Sequence, residues 1–291
     1  MILQDVVIPT KGCIERMHTM SWIRELGLNL TVFTHNEEDQ RRIQNAFPWA
    51  RVWHHNIPHS IDGMTHVRDY IDKWIGDKWY LTIDDNIQYI TGVPVGTDVD
   101  HWRFDPHDFD CHLTPPQIMD HLLATIAKCQ ELGNTYGGFT DMANGAWRKK
   151  QWGHMTYVKG CMTVMKPSFK FHQFSPIVNS DMARSVMEVA ENGSVTRNSW
   201  MRPVKTRFEA GGIGSFEERI PAREYTYERL MEMYPGLLRL QWQDNHNRNV
   251  LRFSKRQGPS FDKWQDDYKA GRERGPIRWD EDSRRDESSG L

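Results

Sequence analysis

Two carboxylates and an amide stand side by side in the stretch "KWYLTIDDNIQYI". Asp84, Asp85 and Asn86 follow an apolar run that ends at Ile83, and the chain becomes apolar again directly after them. Burying adjacent carboxylates is costly unless a cation or hydrogen-bond donors compensate. A hard divalent cation such as Mg²⁺ or Mn²⁺ prefers oxygen ligands of this kind. The pattern therefore predicts either a cation site at the end of a buried strand or a solvated turn, which Asp-Asn pairs also favour.

The residues before this turn alternate between strand and helix patterns. The sequence predicts strands at 5–10, 30–36, 50–55 and 78–83, and helices at 13–26, 37–47 and 63–76. This alternation predicts an α/β fold, with a mainly parallel sheet and helices on both faces. Ligands of such sheets bind beyond the carboxyl ends of the strands. We therefore expect Pro9–Thr10, Thr34–Asn36 and Asp84–Asn86 to converge on one edge.

The second half of the chain has a weaker alternation. The sequence predicts a long loop at 91–116, helices at 116–133, 179–193 and 223–236, strands within 135–142 and 156–167, and a Gly-rich loop at 211–214. From about residue 265 the chain is charged and poor in apolar groups, which predicts a mobile tail at 265–291 after one domain at 1–264.

Composition narrows the function classes. The chain has 291 residues, with 37 basic and 39 acidic residues and a formal charge of −2. A dominant basic field for nonspecific nucleic-acid binding is therefore excluded, whereas a local basic patch is not. Without a signal-peptide pattern or an apolar run long enough to span a membrane, we expect a soluble protein of the cytoplasm. Four scattered cysteines without a CxxC pair indicate reduced thiols rather than a disulfide frame or zinc site.

Four stretches together resemble a known superfamily. "VVIPTKG", "GMTHVRD", "WYLTIDDN" and "NSDMARSVMEVAENG" are similar, in this order, to successive motifs of nucleotide-sugar glycosyltransferases with the GT-A fold. Within it the chain most resembles phage glycosyltransferases associated with TET-like base oxygenases, which are thought to glycosylate hydroxymethylated pyrimidines in DNA. The resemblance implies a GT-A α/β fold with a C-terminal extension, a UDP-sugar type of donor and a divalent metal, Mn²⁺ or Mg²⁺. It also implies a donor-binding half at 1–90 and an acceptor half at 116–264.

The resemblance also implies roles for individual residues. The metal would be held by Asp84, Asp85 and Asn86, with a late ligand from His246 or, equally, Asp244. The donor would be bound by Pro9, Thr10, Lys11, Thr34, Arg68 and Asp84. Asp181 would take the proton from the acceptor hydroxyl. The sequence departs from the family pattern at three positions, which are Asn86 for Asp, Asp69 for Asn, and Ser180 for Glu.

Each of these residues also has an ordinary structural interpretation. Pro9 is typical of a strand end, Arg68 of an exposed salt bridge on a helix, and Asp181 of the first turn of a helix. The residues alone leave these alternatives open.

A basic and aromatic stretch lies late in the chain. Its basic residues are Arg202, Lys205, Arg207, Arg239, Arg248, Arg252, Lys255 and Arg256, and its aromatic residues include Trp200, Trp242 and Phe253. Such a mixture would suit phosphates and an extruded base, although solvated helix faces have the same pattern. The resemblance favours transfer of a hexose, with inversion, to a hydroxymethylated pyrimidine in DNA. The alternatives are transfer to a cell-envelope polysaccharide or protein, and an inactive nucleic-acid-binding module on the same fold.

Overall fold

The computed structural model describes residues 3–10, 14–57, 63–97, 111–140, 151–167, 179–205, 216–244 and 248–273. The chain divides into two compact units, Met1–Met233 and Tyr234–Leu291. The strands are β1 (Asp5–Pro9), β2 (Asn29–Thr34), β3 (Arg51–His54), β4 (Tyr80–Ile83), β5 (Ile87–Gly92), β6 (Tyr136–Phe139), β7 (Trp152–Gly153), β8 (Met162–Met165), β9 (Thr196–Asn198), β10 (Met201–Lys205), β11 (Leu238–Gln243) and β12 (Arg248–Phe253). The helices are α1 (Glu37–Ala46), α2 (Gly63–Ile75), α3 (Pro115–Glu131), α4 (Ser180–Asn192), α5 (Phe216–Met233) and α6 (Pro259–Glu273).

Eight of the described strands form one sheet in the order β3-β2-β1-β4-β8-β6-β9-β7. Strands β3, β2, β1 and β4 are mutually parallel, β8 is antiparallel to both β4 and β6, β9 is parallel to β6, and β7 is antiparallel to β9. The two remaining pairs, β5 with β10 and β11 with β12, are separate antiparallel ribbons. The predicted α/β fold class with a mainly parallel sheet is confirmed.

Helices cover both faces of the sheet, and successive side chains of a strand point to opposite faces. One face carries the main apolar cluster, which includes Val6, Leu81, Ile43 of α1 and Leu122 of α3. The other face meets α2 and α4. There the rings of Phe33 in β2 and Trp74 in α2 lie 5.3 Å apart, and Arg184 of α4 stacks over Tyr136 of β6.

The predicted helix at 13–26 is wrong. The described part of this segment forms three short 3₁₀ turns, Ile14–Arg16, His18–Ser21 and Ile23–Leu26. Its buried residues Met17, Met20, Ile23 and Leu26 recur every three positions, which is the period of a 3₁₀ helix rather than an α-helix.

Other boundaries differ from the sequence prediction. The expected loop at 91–116 begins with the end of β5 and finishes in α3, while residues 98–110 lie outside the described part. Helix α5 begins earlier than predicted, at Phe216. The expected tail boundary at residue 265 falls inside α6, so residues 265–273 are helical, and residues 274–291 are not described. The two ribbons were not predicted.

Candidate active site

The acidic turn, Asp84–Asn86, connects β4 to β5 and is fixed through its backbone. The Asp84 N–H donates to the carbonyl of Cys161 at 2.8 Å. The Thr19 hydroxyl donates to the Asp84 carbonyl at 2.6 Å and accepts from the Ile87 N–H at 3.0 Å. The Thr19 N–H donates to the Asp85 carbonyl at 3.0 Å. Thr19, in the second 3₁₀ turn, therefore binds the acidic turn through both its hydroxyl and its backbone N–H.

Asp85 joins this turn to the end of β1. The Thr10 hydroxyl donates to Asp85 Oδ2 at 2.5 Å. Burial raises the pKa of Asp85 to about 6, and the neighbouring Asp84 charge adds to this, while the Thr10 hydrogen bond and His18 oppose it. The predicted convergence of the β1 and β4 ends is therefore observed as a direct contact.

Asp84 lies in the field of three other charged residues. Its Oδ2 is 3.5 Å from Nζ of Lys205, at the end of β10, and 35% of its side chain is exposed. Burial raises the Asp84 pKa, Lys205 and Arg68 lower it, and Asp181 raises it further. Two residues from α2 and α4 thus act electrostatically on the acidic turn, although they are 16 and 97 positions away in sequence.

Asn86 contributes an unsatisfied acceptor. Its Oδ1 is buried and accepts no hydrogen bond from any residue that the structure describes. Buried polar atoms in native proteins are almost always paired, so an orphan of this kind requires an explanation. A bound cation or a ligand donor would satisfy it.

Asp181 and Arg68 both lie close to Gly160. Asp181 lies in the first turn of α4, and its Oδ2 accepts from the Gly160 N–H at 3.0 Å. Arg68 Nη1 donates to the hydroxyl of Ser180. A Cβ on Gly160 would lie 2.9 Å from Arg68 Nη2 and 3.0 Å from Asp181 Cβ. The missing side chain at residue 160 therefore permits this arrangement. Gly160 was not predicted as a site residue.

A buried polar network supports the same two helices. Tyr80 of β4 donates to Asp72 Oδ1 at 2.6 Å. Arg184 Nη1 of α4 lies 3.5 Å from Asp72 Oδ2, and both side chains are at least 96% buried. Asp72 is one turn beyond Arg68 on α2, and Arg184 is one turn beyond Asp181 on α4, so the network sets the position of both site residues. Burial, and then the Asp72 charge, raises the pKa of Tyr80 well above its usual range.

This network is not predicted from the sequence, where its signal is weak. Asp72 lies four residues after Arg68 on α2, and Arg184 lies three residues after Asp181 on α4. Each therefore shares a helix face with a site residue. More than 100 positions separate Asp72 from Arg184, so spacing alone could not pair them.

The remaining predicted residues either show no hydrogen bond to the acidic turn or lie outside the described residues. Pro9 pairs with Phe33 at the end of β1. Thr34 is fully buried at the end of β2, and its hydroxyl has no hydrogen-bond partner among the described residues. Lys11, His246 and the loop at 211–214 lie outside the described residues. Asp244 belongs to the second unit.

The predicted basic and aromatic stretch is divided by the structure. Lys205 lies 3.5 Å from Asp84 in the first unit and is about half exposed, whereas Trp200 is buried. In the second unit, Arg239 of β11 lies directly opposite Arg252 of β12, and Arg248 lies opposite Gln243. Directly opposed residues and their i+2 neighbours share a face, so Arg239, Arg248 and Arg252 form an arginine face on this ribbon.

The donor atoms of the acidic turn fit a hard cation. Two carboxylates and an orphaned amide oxygen supply the oxygen ligands that Mg²⁺ and Mn²⁺ prefer. Within the part of the chain that the structure describes, no three His, Cys, Asp or Glu side chains are grouped as a metal site. The turn therefore fits a cation that takes its remaining ligands from a bound molecule or water.

No protein-family model and no curated protein matches the sequence. Among solved structures, the chain is similar to glucosyl-3-phosphoglycerate synthase from Mycobacterium tuberculosis in complex with Mg²⁺ and uridine diphosphate, at a TM-score of 0.47, 9% identity and 86% coverage of each chain. It is also similar to 4-diphosphocytidyl-2C-methyl-D-erythritol synthase from Anaerococcus prevotii, at a TM-score of 0.40 and 9% identity, with 77% of this chain and 97% of that chain covered. Both likenesses are remote, and neither supports an inference about the activity of this chain. Among the described residues, no helix is both long and apolar enough to cross a membrane.

Proposed function

We propose that this chain is a metal-assisted glycosyltransferase that uses a nucleotide-sugar, of the UDP-sugar kind, as its donor. The acceptor that we propose is the hydroxymethyl group of a modified pyrimidine in DNA, either 5-hydroxymethylcytosine or 5-hydroxymethyluracil. The observation that carries the proposal is the convergence of the acidic turn, Asp181, Arg68 and Lys205 beyond the carboxyl end of β4. In α/β sheets this edge is where ligands bind.

The acidic turn supplies the charge for a donor diphosphate. Asp84, Asp85 and Asn86 would hold a divalent cation, which would neutralise the negative charge on the departing diphosphate. Arg68, held by Ser180, contributes a fixed positive charge on the same side. Thr10 orients Asp85, so the carboxylate is positioned before any ligand arrives.

Asp181 would serve as the general base. Its Oδ2 is fixed by the Gly160 N–H, and its Oδ1 accepts no hydrogen bond within the described part of the chain. Oδ1 would accept the proton of the acceptor hydroxyl as the hydroxyl oxygen forms its bond to the anomeric carbon. The bond from the anomeric carbon to the diphosphate breaks in the same step. Attack from the face opposite the leaving group inverts the configuration.

The arginine face supports a polyanionic acceptor. Arg239 and Arg252 are exposed and directly opposed across the ribbon, and like charges in that relation are destabilising unless an anion lies over them. Trp242, on the other face, is 53% exposed. Phosphates of DNA would neutralise this arrangement.

The test combines the protein with Mn²⁺, a panel of nucleotide-sugars and duplex DNA that carries hydroxymethylcytosine or hydroxymethyluracil. After digestion, mass spectrometry of the nucleosides should show a gain of one hexose. Chelation and the near-isosteric Asp181→Asn variant should abolish the gain, whereas Asp120→Asn, an exposed substitution on α3, should not.

Two results would correct the proposal. If the donor is hydrolysed but no nucleoside gains mass, the transferase chemistry stands and the DNA acceptor is wrong. If the donor remains intact with every acceptor while the protein still binds DNA, the chain is a nucleic-acid-binding module.

A further inference from the structure

Lys205 is placed at the acidic turn by an irregular strand end. In the β5–β10 ribbon, Val204 pairs with Tyr89 but Lys205 pairs with Ile87, so the register shifts between the last two residues of β10. Such a bulge redirects the side chain that follows it. Here it brings the ammonium of Lys205 to within 3.5 Å of Asp84 Oδ2.

The contact between Lys205 and Asp84 is loose and reachable by solvent. A charge-assisted N–H···O hydrogen bond is usually about 2.7–2.9 Å long, which is shorter than the observed 3.5 Å. The Lys205 side chain is 48% exposed and that of Asp84 is 35% exposed. Ion pairs of this kind contribute little to folding, so Lys205 can leave Asp84 at small cost.

The same carboxylate cannot serve two cations equally. A divalent ion on Asp84 would repel the ammonium of Lys205, which would then need another anion within reach. Lysine suits this exchange, because a flexible stem carries its compact charge and its three donors. The donor diphosphate would lie on the cation and would supply that anion.

We propose that Lys205 is the counter-cation of Asp84 in the unliganded protein and transfers to the donor's diphosphate when a divalent cation binds the acidic turn. The transfer of Lys205 to the diphosphate rests on the proposed function, because it requires a nucleoside diphosphate at this site. The role of Lys205 as the counter-cation of Asp84 rests only on the contact between these two residues.

The test is calorimetric and needs no turnover. Wild type and Lys205→Met are titrated with Mn²⁺ alone, with a panel of nucleoside diphosphates in the presence of Mn²⁺, and with the matching nucleosides. The variant should bind Mn²⁺ about three- to tenfold more tightly, because a competing charge is gone. It should bind the diphosphate that the wild type prefers about tenfold more weakly, and the matching nucleoside equally well.

Two further variants serve as controls. Lys166→Met removes another partly exposed ion pair, 2.8 Å from Asp77, which adjoins the opposite end of β4, and should change none of these affinities. Lys205→Arg keeps the charge and should keep the wild-type affinity for Mn²⁺.

Several outcomes would overturn the proposal. Unchanged or weaker Mn²⁺ binding by Lys205→Met contradicts the counter-cation role, and equal losses for diphosphate and nucleoside contradict the phosphate contact. Failure of the proposed function is distinct. In that case the wild type transfers no sugar and binds no nucleoside diphosphate, whereas the change in Mn²⁺ affinity caused by Lys205→Met persists.

Discussion

The Arg184–Asp72 and Lys205–Asp84 ion pairs of the first unit have the same separation of 3.5 Å but differ in exposure. Arg184 and Asp72 are almost completely buried, and Tyr80 also binds the carboxylate. Lys205 and Asp84 are each at least one third exposed. Burial makes the first pair part of the structure, since breaking it leaves a desolvated charge. Exposure leaves the second pair able to exchange partners, as a ligand site requires.

The largest effect on stability is expected when the buried ion pair loses its carboxylate. Asp72→Asn removes the counter-charge of Arg184 and should lower the free energy of unfolding by about 3–5 kcal/mol. Urea denaturation measures this, with Asp120→Asn as an exposed control. A loss below about 1 kcal/mol would show that the Arg184–Asp72 pair does not hold α2 and α4 together.

The next effect concerns pH and the acidic turn. The Asp85 pKa is about 6 in the folded protein and about 3.9 in an unfolded chain. The folded state therefore binds this proton more tightly, and its stability falls as pH rises from about 4 to about 6, by about 3 kcal/mol at most. Asp85→Asn should lack this component in urea titrations of the metal-free protein. Parallel pH profiles for the two proteins would contradict the assignment.

A smaller effect is expected at Gly160, which lies between Arg68 and Asp181. Gly160→Ala places a methyl group 2.9 Å from Arg68 Nη2 and 3.0 Å from Asp181 Cβ. Overpacking of this kind costs about 1–3 kcal/mol, and displacement of Asp181 should lower the rate of sugar transfer. Gly271→Ala, which meets nothing within 4 Å, is the control. Wild-type stability and transfer rate in Gly160→Ala would show that the site tolerates a side chain there.

The smallest effect is the stability change on removal of the exposed pair. Lys205→Met should cost less than about 1 kcal/mol, as should Lys166→Met, whose pair with Asp77 is also exposed. Thermal unfolding of both variants checks this. If Lys205→Met were as destabilising as Asp72→Asn, the contrast between the two ion pairs would be wrong.

Local signals predicted most of the first half of the fold. The alternation of strand and helix patterns before residue 84 located β1 to β4, α1 and α2 to within a few residues. The expected convergence of the carboxyl ends of parallel strands agrees with the contact between Thr10 and Asp85. The 3₁₀ turns at 14–26 were missed because three-residue spacing was interpreted as helical. The contact between Lys205 and Asp84 was not predicted, because the irregular pairing of β10 with β5 that places Lys205 there is not visible in the sequence.

The most direct test of the account is the binding of a nucleoside diphosphate, with and without Mn²⁺, to wild type, Asp84→Asn and Asp77→Asn. Asp77 has an exposed side chain in an ion pair with Lys166 and is the matched control. The account predicts that Mn²⁺ strengthens binding to wild type and Asp77→Asn but not to Asp84→Asn. Equal Mn²⁺-dependent binding by all three proteins would contradict the assignment of the acidic turn as the site of the cation and the diphosphate.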